Sequence, residues 1–217
     1  MSAQVQATMT LITWGVLMTL YALNKYVIKH DFLKSPILVD LSAVPISRPG
    51  SFIAGAGVLF TFVSNIATIG VVFGCALSPS FENAVRFLRF NLPLWVNVAC
   101  GVLFVLNSLW GLLVLFYNPN YTPLYKQLRG HYIIVTEGPY RLVRHPRYAA
   151  EALANLIFFL FTGVWLSLLG ILGWAAIYAQ GKAEEQFLLA LSPQAYGDYR
   201  RRTGMFFPQI RQLTGPR

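Results

Sequence analysis

The 217-residue chain is 56% hydrophobic and only 12% charged, against roughly 25% charged residues in a soluble domain, which excludes an ordinary water-soluble globule. Its net charge of +9 does not point to nucleic acid, because the basic residues sit in loops between apolar runs and not along one groove-reading element. The two cysteines, Cys75 and Cys100, both fall inside apolar runs, so neither a disulfide framework nor a paired-cysteine metal site is available.

In chain order, Met9 to Ile28 is the first apolar span. Its N-terminal flank has no Lys or Arg and no small-residue cleavage site, so it reads as an anchor and not a signal peptide. Phe52 to Leu77 and Pro93 to Tyr117 follow, each long enough to cross ~30 Å of hydrocarbon. Ala149 to Tyr178 is too long for one span and carries Thr162-Gly163 near its middle, which predicts a hairpin of two close-packed helices. Lys182 to Leu191 is then a tail helix with Phe187, Leu188 and Leu191 on one face. Ser192-Pro193 caps and starts another through Arg202, with Tyr196 and Tyr199 sharing a face.

With five crossings, Lys25, Lys29, Lys34, Arg48, Lys126, Arg129, Arg141, Arg144, Arg147, Lys182, Arg200, Arg201, Arg202, Arg211 and Arg217 fall on one side. Arg86 and Arg89 alone fall on the other. The positive-inside rule makes the first side cytoplasmic. The expected architecture is therefore all-α and integral to the membrane: one domain over 1–217, about five transmembrane helices, and a cytosolic helical tail.

His131 to Tyr148, HYIIVTEGPYRLVRHPRY, is the charged, Pro-bearing stretch facing this apolar protein. Tyr132 to Thr136 is β-branched and extended in character. Gly138-Pro139-Tyr140 reads as a turn. Arg144-His145-Pro146 reads as a helix start, with Pro146 tolerated in the first turn. Free N–H groups and a partial positive charge at that start, beside Arg144, His145 and Arg147, suit a carboxylate or phosphate at a membrane surface.

The run Ile134-Val135-Thr136-Glu137-Gly138-Pro139-Tyr140, then Arg144-His145-Pro146-Arg147-Tyr148, the Glu184-Glu185 pair, Tyr196, Tyr199 and Thr203-Gly204…Pro208 resembles the isoprenylcysteine carboxyl methyltransferase family. Related phospholipid N-methyltransferases share much of it. The resemblance covers about the last 90 residues, so 1–130 stands as a three-helix N-terminal part and 131–217 as the cofactor-binding core. It implies a multi-pass membrane methyltransferase that binds S-adenosylmethionine near its cytosolic surface and takes a lipophilic substrate from the bilayer. Carried over residue by residue, the expected cofactor contacts are Tyr132, Ile133, Ile134, Val135, Tyr140, His145, Pro146, Arg147, Tyr148 and Glu184. The chain departs from the family pattern at Tyr132, where a His is common, and at Gln180, which replaces an arginine thought to hold the substrate carboxylate. Gln cannot form the bidentate charged pair that an arginine would.

Residue chemistry agrees with a sulfonium cofactor. Its carboxylate suits the Pro146 helix start with Arg144 and His145. Its ammonium and sulfonium suit Glu184 and the faces of Tyr140 and Tyr148. No Gly-rich strand-turn-helix fingerprint is present, so any cofactor site must be built from loops and helix ends. Methyl transfer needs a base only when the nucleophile arrives protonated. Glu151, in the fourth span with Asn155 one turn further on, is that candidate, although pairing with Arg147 at i, i+4 is an equally simple role for it. Arg144 is the second expected catalytic group, and Gln180, Asn155 and Glu185 are expected on the substrate side. No metal is expected. Asn65, Asn97 and Asn107 suit interhelical hydrogen bonds, and Arg200-Arg201-Arg202 suits anionic lipid. Within the class, a phospholipid amine or a small thiol is the alternative acceptor. From other classes, a sterol-reductase-like NADPH protein and a non-catalytic lipid-binding protein remain open.

Overall fold

In the computed structural model, residues 1–40, 51–120 and 131–209 are described. Arg48, Lys126, Arg129, Arg211 and Arg217 of the charge count lie outside them. The first helix, α1, is Ala3–Ala22, continued by a π-helical turn over Leu23–Ile28. Strand β1 is Ile37–Asp40, α2 is Ser51–Leu77 and α3 is the short Pro79–Ala84, followed by a 3-10 turn at Arg86–Leu88. Next come α4 (Leu94–Tyr117) and β2 (His131–Ile134), then a 3-10 turn at Gly138–Arg141. The chain continues with α5 (Pro146–Thr162), α6 (Leu166–Leu169) with a 3-10 turn at Gly170–Gly173, α7 (Trp174–Leu191) and α8 (Pro193–Arg202).

Among the described residues, three helices are long and apolar enough to cross a membrane: Ala3–Ile28, Gly55–Leu77 and Leu94–Tyr117. They turn large apolar side chains outward, including Leu11, Val16, Leu59, Phe62, Leu103 and Leu106. Such faces have no cover in water and a natural one in lipid. The protein is therefore largely helical and membrane-associated.

α5 is shorter, yet it runs through the same layer. Near its start, Trp110 Nε1 of α4 donates to Pro146 O at 3.1 Å. Near its end, Phe161 O accepts from Gln6 Nε2 of α1 at 2.8 Å and Leu160 O accepts from Asn97 Nδ2 of α4 at 3.0 Å. The chain reverses at Gly163, as its sequence predicts. Gly163 has φ +75°, and a Cβ there would meet Phe90 O at 2.3 Å; only glycine fits both conditions. Its carbonyl accepts from Phe90 N at 2.8 Å, which ties the reversal to the segment entering α4. Val164 then packs with Ala3, Ala7, Val71, Val72 and Cys75 at the end of the bundle away from Pro146. The return leg is held by Thr61 Oγ1 donating to Gly170 O at 3.0 Å.

The structure differs from expectation at four places. The first helix begins at Ala3, not Met9, because Gln6 and Thr10 satisfy their polar groups on carbonyls and are buried. The strand expected near Tyr132 exists, and it pairs antiparallel with Ile37–Asp40, Ile37 opposite Ile134 and Val39 opposite Tyr132, which adds one short two-stranded ribbon to the helical fold. Lys182 to Leu191 is not a separate tail helix; Trp174–Leu191 is one continuous helix, since nothing between Tyr178 and Lys182 breaks the backbone ladder. Ser192 sits at the N-cap of α8, but its side chain makes no capping bond. The asparagines behave as expected: Asn97 and Asn107 donate to carbonyls of α5 and Asn65 accepts from Asn155.

Candidate functional site

A cavity of about 260 Å³ opens where β2, the Gly138 turn, the start of α5 and the second half of α7 meet. Each wall has a local cause. Tyr132, Ile133, Ile134 and Val135 reach it because β2 lies over a small core of Val39, Ile134, Leu188, Tyr196 and Tyr199. Asn120 brackets the free edge of Ile133, donating to its carbonyl and accepting from its N–H. Tyr140 is presented by a turn that needs φ +57° at Gly138, where a Cβ would also meet the Tyr117 ring at 2.6 Å. Asn118 Nδ2 donates to the Tyr140 hydroxyl, and Tyr199 OH donates to Tyr140 O at 2.6 Å. Glu137 leaves the turn outward and accepts from Lys34 N at 3.0 Å. That backbone bond lowers its pKa.

At the start of α5, His145 is the N-cap residue and Pro146 the first helical residue. The chain before them docks on the tail: Arg144 N donates to Gly204 O at 2.8 Å and His145 N to Met205 O at 3.0 Å. His145 is 7% exposed, stacked on Tyr148 with ring centroids 5.6 Å apart. Its two nitrogens face two carboxylates, Nδ1 at 3.7 Å from Glu184 and Nε2 at 3.5 Å from Glu185. At those lengths the contacts are electrostatic; Nε2 completes no hydrogen bond among the described residues. Glu184 Oε1 accepts from Tyr148 OH at 2.7 Å and from Gln180 Nε2 at 2.9 Å, so its carboxylate is fixed on the cavity wall.

Glu185, one residue on, points elsewhere. It is 1% exposed, accepts from Arg144 Nε at 2.7 Å and has Arg200 Nε 3.4 Å from its other oxygen. Burial opposes its ionisation, but His145 and then Arg144 outweigh burial and hold its pKa down at about 2. The phenols move the other way. Burial pushes Tyr140 up to about 12 and raises Tyr132, Tyr196 and Tyr199 further. These four rings stay neutral at physiological pH and offer faces and O–H donors, not bases.

All ten residues expected to touch a cofactor (Tyr132, Ile133, Ile134, Val135, Tyr140, His145, Pro146, Arg147, Tyr148 and Glu184) line this one cavity, together with Glu151, Arg144 and Gln180. Two expected substrate residues do not. Asn155 is fully buried between helices, donating to Ser64 and Asn65 and accepting from Trp174. Glu185 faces the tail. Arg144 lines the cavity, but its guanidinium is engaged by Glu185 and by the carbonyls of Arg200 and Thr203, so what the structure gives it is a docking role. Arg200 likewise meets Glu185, whereas the sequence suggested lipid. Arg147 pairs with Glu151 at 2.9 Å, the simple role anticipated for Glu151. Asn118 and Asn120 are wall residues that sequence reasoning missed; their signal was an Asn-Pro-Asn run directly after an apolar span. Among the described residues, no three His, Cys, Asp or Glu side chains come together as a metal site.

Fold and cavity define a helical, membrane-associated protein with an aromatic, charge-balanced pocket at one end of its bundle. No family model matches the chain. Over 98 residues it is 35% identical to the cobalt-zinc-cadmium resistance protein CzcN of Cupriavidus metallidurans, a stretch covering 42% of this chain and 43% of that protein. The match thus spans less than half the length of either.

Proposed function

We propose that this chain is a multi-pass membrane methyltransferase that uses S-adenosylmethionine to methylate a lipophilic acceptor. The single observation that carries the reading is the composition of the cavity. Two carboxylates, two guanidiniums and five tyrosines line one pocket: Glu151 and Glu184, Arg144 and Arg147, Tyr132, Tyr140, Tyr148, Tyr196 and Tyr199. A zwitterionic sulfonium nucleoside needs that mixture, and a polyanion does not. NADPH carries several negative charges, whereas both arginines here already pair with carboxylates, which argues against the reductase alternative. Glu184, fixed by Tyr148 and Gln180, would hold the ammonium. The Pro146 helix start, with its free backbone N–H groups, would hold the carboxylate. Tyr140 and Tyr148 would face the sulfonium. When bound, the cofactor supplies an electrophilic methyl group, and the chain's task is to align the acceptor and take its proton. Glu151 is the group for the proton, since Oε2 has no hydrogen-bond partner among the described residues.

The same reading includes five crossings with the cavity at the cytoplasmic surface. Its support is that α5 and the α6–α7 return run through the same layer as the three long helices. In addition, Lys25, Lys29, Lys34, Arg141 and Lys182 belong to segments at the cavity end, while Arg86 and Arg89 belong to the opposite end.

Titration of the detergent-solubilised protein with S-adenosylhomocysteine and with NADPH tests the proposal. Micromolar binding of the first alone is expected. Glu184→Gln and His145→Ala should each weaken it more than ten-fold, and Glu151→Gln should spare it. Tight NADPH binding, or no binding of either ligand, would sink the proposal.

A further inference from the structure

A second cavity, of about 180 Å³, lies inside the helical layer between α1, α2, α4 and α5. Its walls are mostly apolar: Trp14, Phe62, Ile66, Ile69, Phe104 and Phe158. Val58 and Glu151 line both cavities and so form the partition between them. Three of the polar groups on its rim already have partners, and Ser108 adds a hydroxyl. Asn107 donates to Ala150 O, Asn65 accepts from Asn155, and Thr61 donates to Gly170 O. Glu151 is different, because only its Oε1 is used, by Arg147, while Oε2 is buried with no hydrogen-bond partner among the described residues. A buried acceptor without a donor carries a desolvation penalty that an incoming X–H group would relieve.

We propose that this second cavity is the acceptor-binding site, and that its ligand is a compact, uncharged molecule with an apolar body and one thiol directed at Glu151. The acceptor role rests on the methyltransferase reading; the binding does not.

Size sets the body. An apolar cavity of about 150 Å³ holds a benzene molecule, so 180 Å³ suits a ring with one short substituent, whereas a prenyl or acyl chain exceeds that volume and would have to run out of the cavity. Charge sets the head. A cation would lose its hydration on entering the helical layer, and the carboxylate it would meet is already balanced by Arg147. Among neutral donors, a thiol costs least to desolvate. Its pKa of about 8.5 also lies close enough to a carboxylate's for proton transfer, where an alcohol's does not.

Trp14 on the wall supplies a reporter independent of turnover. Benzyl mercaptan, toluene and hexadecanethiol are titrated against the purified full chain, with Trp14→Phe marking which part of the emission change is local. Benzyl mercaptan should quench saturably, and the quench should vanish in Trp14→Phe. Toluene should bind about ten-fold more weakly, and hexadecanethiol should give no saturable signal. Glu151→Gln should bring benzyl mercaptan and toluene to near parity. Ala154→Phe, which fills the cavity, should abolish the signal while leaving S-adenosylhomocysteine binding intact. If that variant loses both, Ser108→Leu on the opposite wall carries the same test. Parity in the unmodified protein, a preference that survives Glu151→Gln, or saturable binding of the long chain would each overturn the assignment. A thiol signal without any S-adenosylhomocysteine binding would instead overturn the methyltransferase reading and leave the cavity's ligand class standing. Bound S-adenosylhomocysteine with no thiol signal would do the reverse.

Discussion

Replacing Glu185 with Gln should unlatch the C-terminal tail. Glu185 is the carboxylate on which Arg144, His145 and Arg200 converge. Arg144 also donates to the carbonyls of Arg200 and Thr203, and its own N–H pairs with Gly204. The Glu185→Gln amide would keep the volume and lose the charge, leaving an 8%-exposed guanidinium side chain without its counter-ion. Breaking a buried pair in this way costs about 3–5 kcal/mol. An amide oxygen can still accept from Arg144 Nε, and the Arg200 contact is half-exposed and worth little, so the low end of that range, about 3 kcal/mol, applies. At about 1.4 kcal/mol per decade, the tail should open roughly a hundred times more often. Trypsin reads this opening directly at Arg200–Arg202, under conditions where cleavage is slow against reclosing. The sign of the pH dependence follows from the depressed pKa. The group's contribution is fully present above about 4.5, the unfolded value, and is lost as pH falls through about 2. The two proteins should therefore differ by the same factor from pH 8 to pH 5 and converge below. A tail in Glu185→Gln that is cut no more than three times faster at pH 7.5 would refute the latch.

Two further outcomes bear on the scaffold. Gly163→Ala should destabilise the bundle by at least about 1 kcal/mol, because φ is +75° and the new Cβ would meet Phe90 O; a lower thermal midpoint, relative to a Gly15→Ala control in open space, checks it. Asn120→Ala should free the edge of β2 at Ile133 and weaken S-adenosylhomocysteine binding several-fold without shifting the midpoint; unchanged affinity would show that the edge of β2 needs no bracing.

Much of the site was legible because its signals are local. Gly138-Pro139-Tyr140 fixes a turn, Pro146 fixes a helix start, and Thr162-Gly163 fixes a reversal, each within a few residues. These punctuation marks place Tyr140, His145 and Tyr148 whatever the rest of the chain does. The misreadings at the strand pair, Asn155 and Arg144 are matters of long-range partnership. Ile37–Asp40 has no strand signature strong enough to stand alone, and it becomes a strand only because β2 needs a partner. Asn155 shares a helix face with Glu151 by spacing, yet Ser64, Asn65 and Trp174 claim it, and no local pattern encodes three residues from two other helices. Arg144 has the spacing of a ligand-binding arginine, but its partner, 41 residues on, turns it toward the tail.

The Glu184-Glu185 pair shows why adjacent like charges are tolerated here. Successive residues on a helix point about 100° apart, so one carboxylate can face the cavity and the other the tail while a single imidazole lies between them. His145 is that divider, with Nδ1 toward Glu184 and Nε2 toward Glu185. Each carboxylate has its own set of donors: Tyr148 and Gln180 for the first, Arg144 and Arg200 for the second. A change that pulls His145 toward one carboxylate lengthens its contact with the other. The tail that pairs with His145 N and the pocket that His145 lines are thus joined through one ring. It follows that Glu184→Gln and Glu185→Gln should not behave additively: residues sharing a partner couple by about 0.5–3 kcal/mol. A double variant whose tail cleavage and S-adenosylhomocysteine affinity equal the summed single effects would mean that the ring merely fills space.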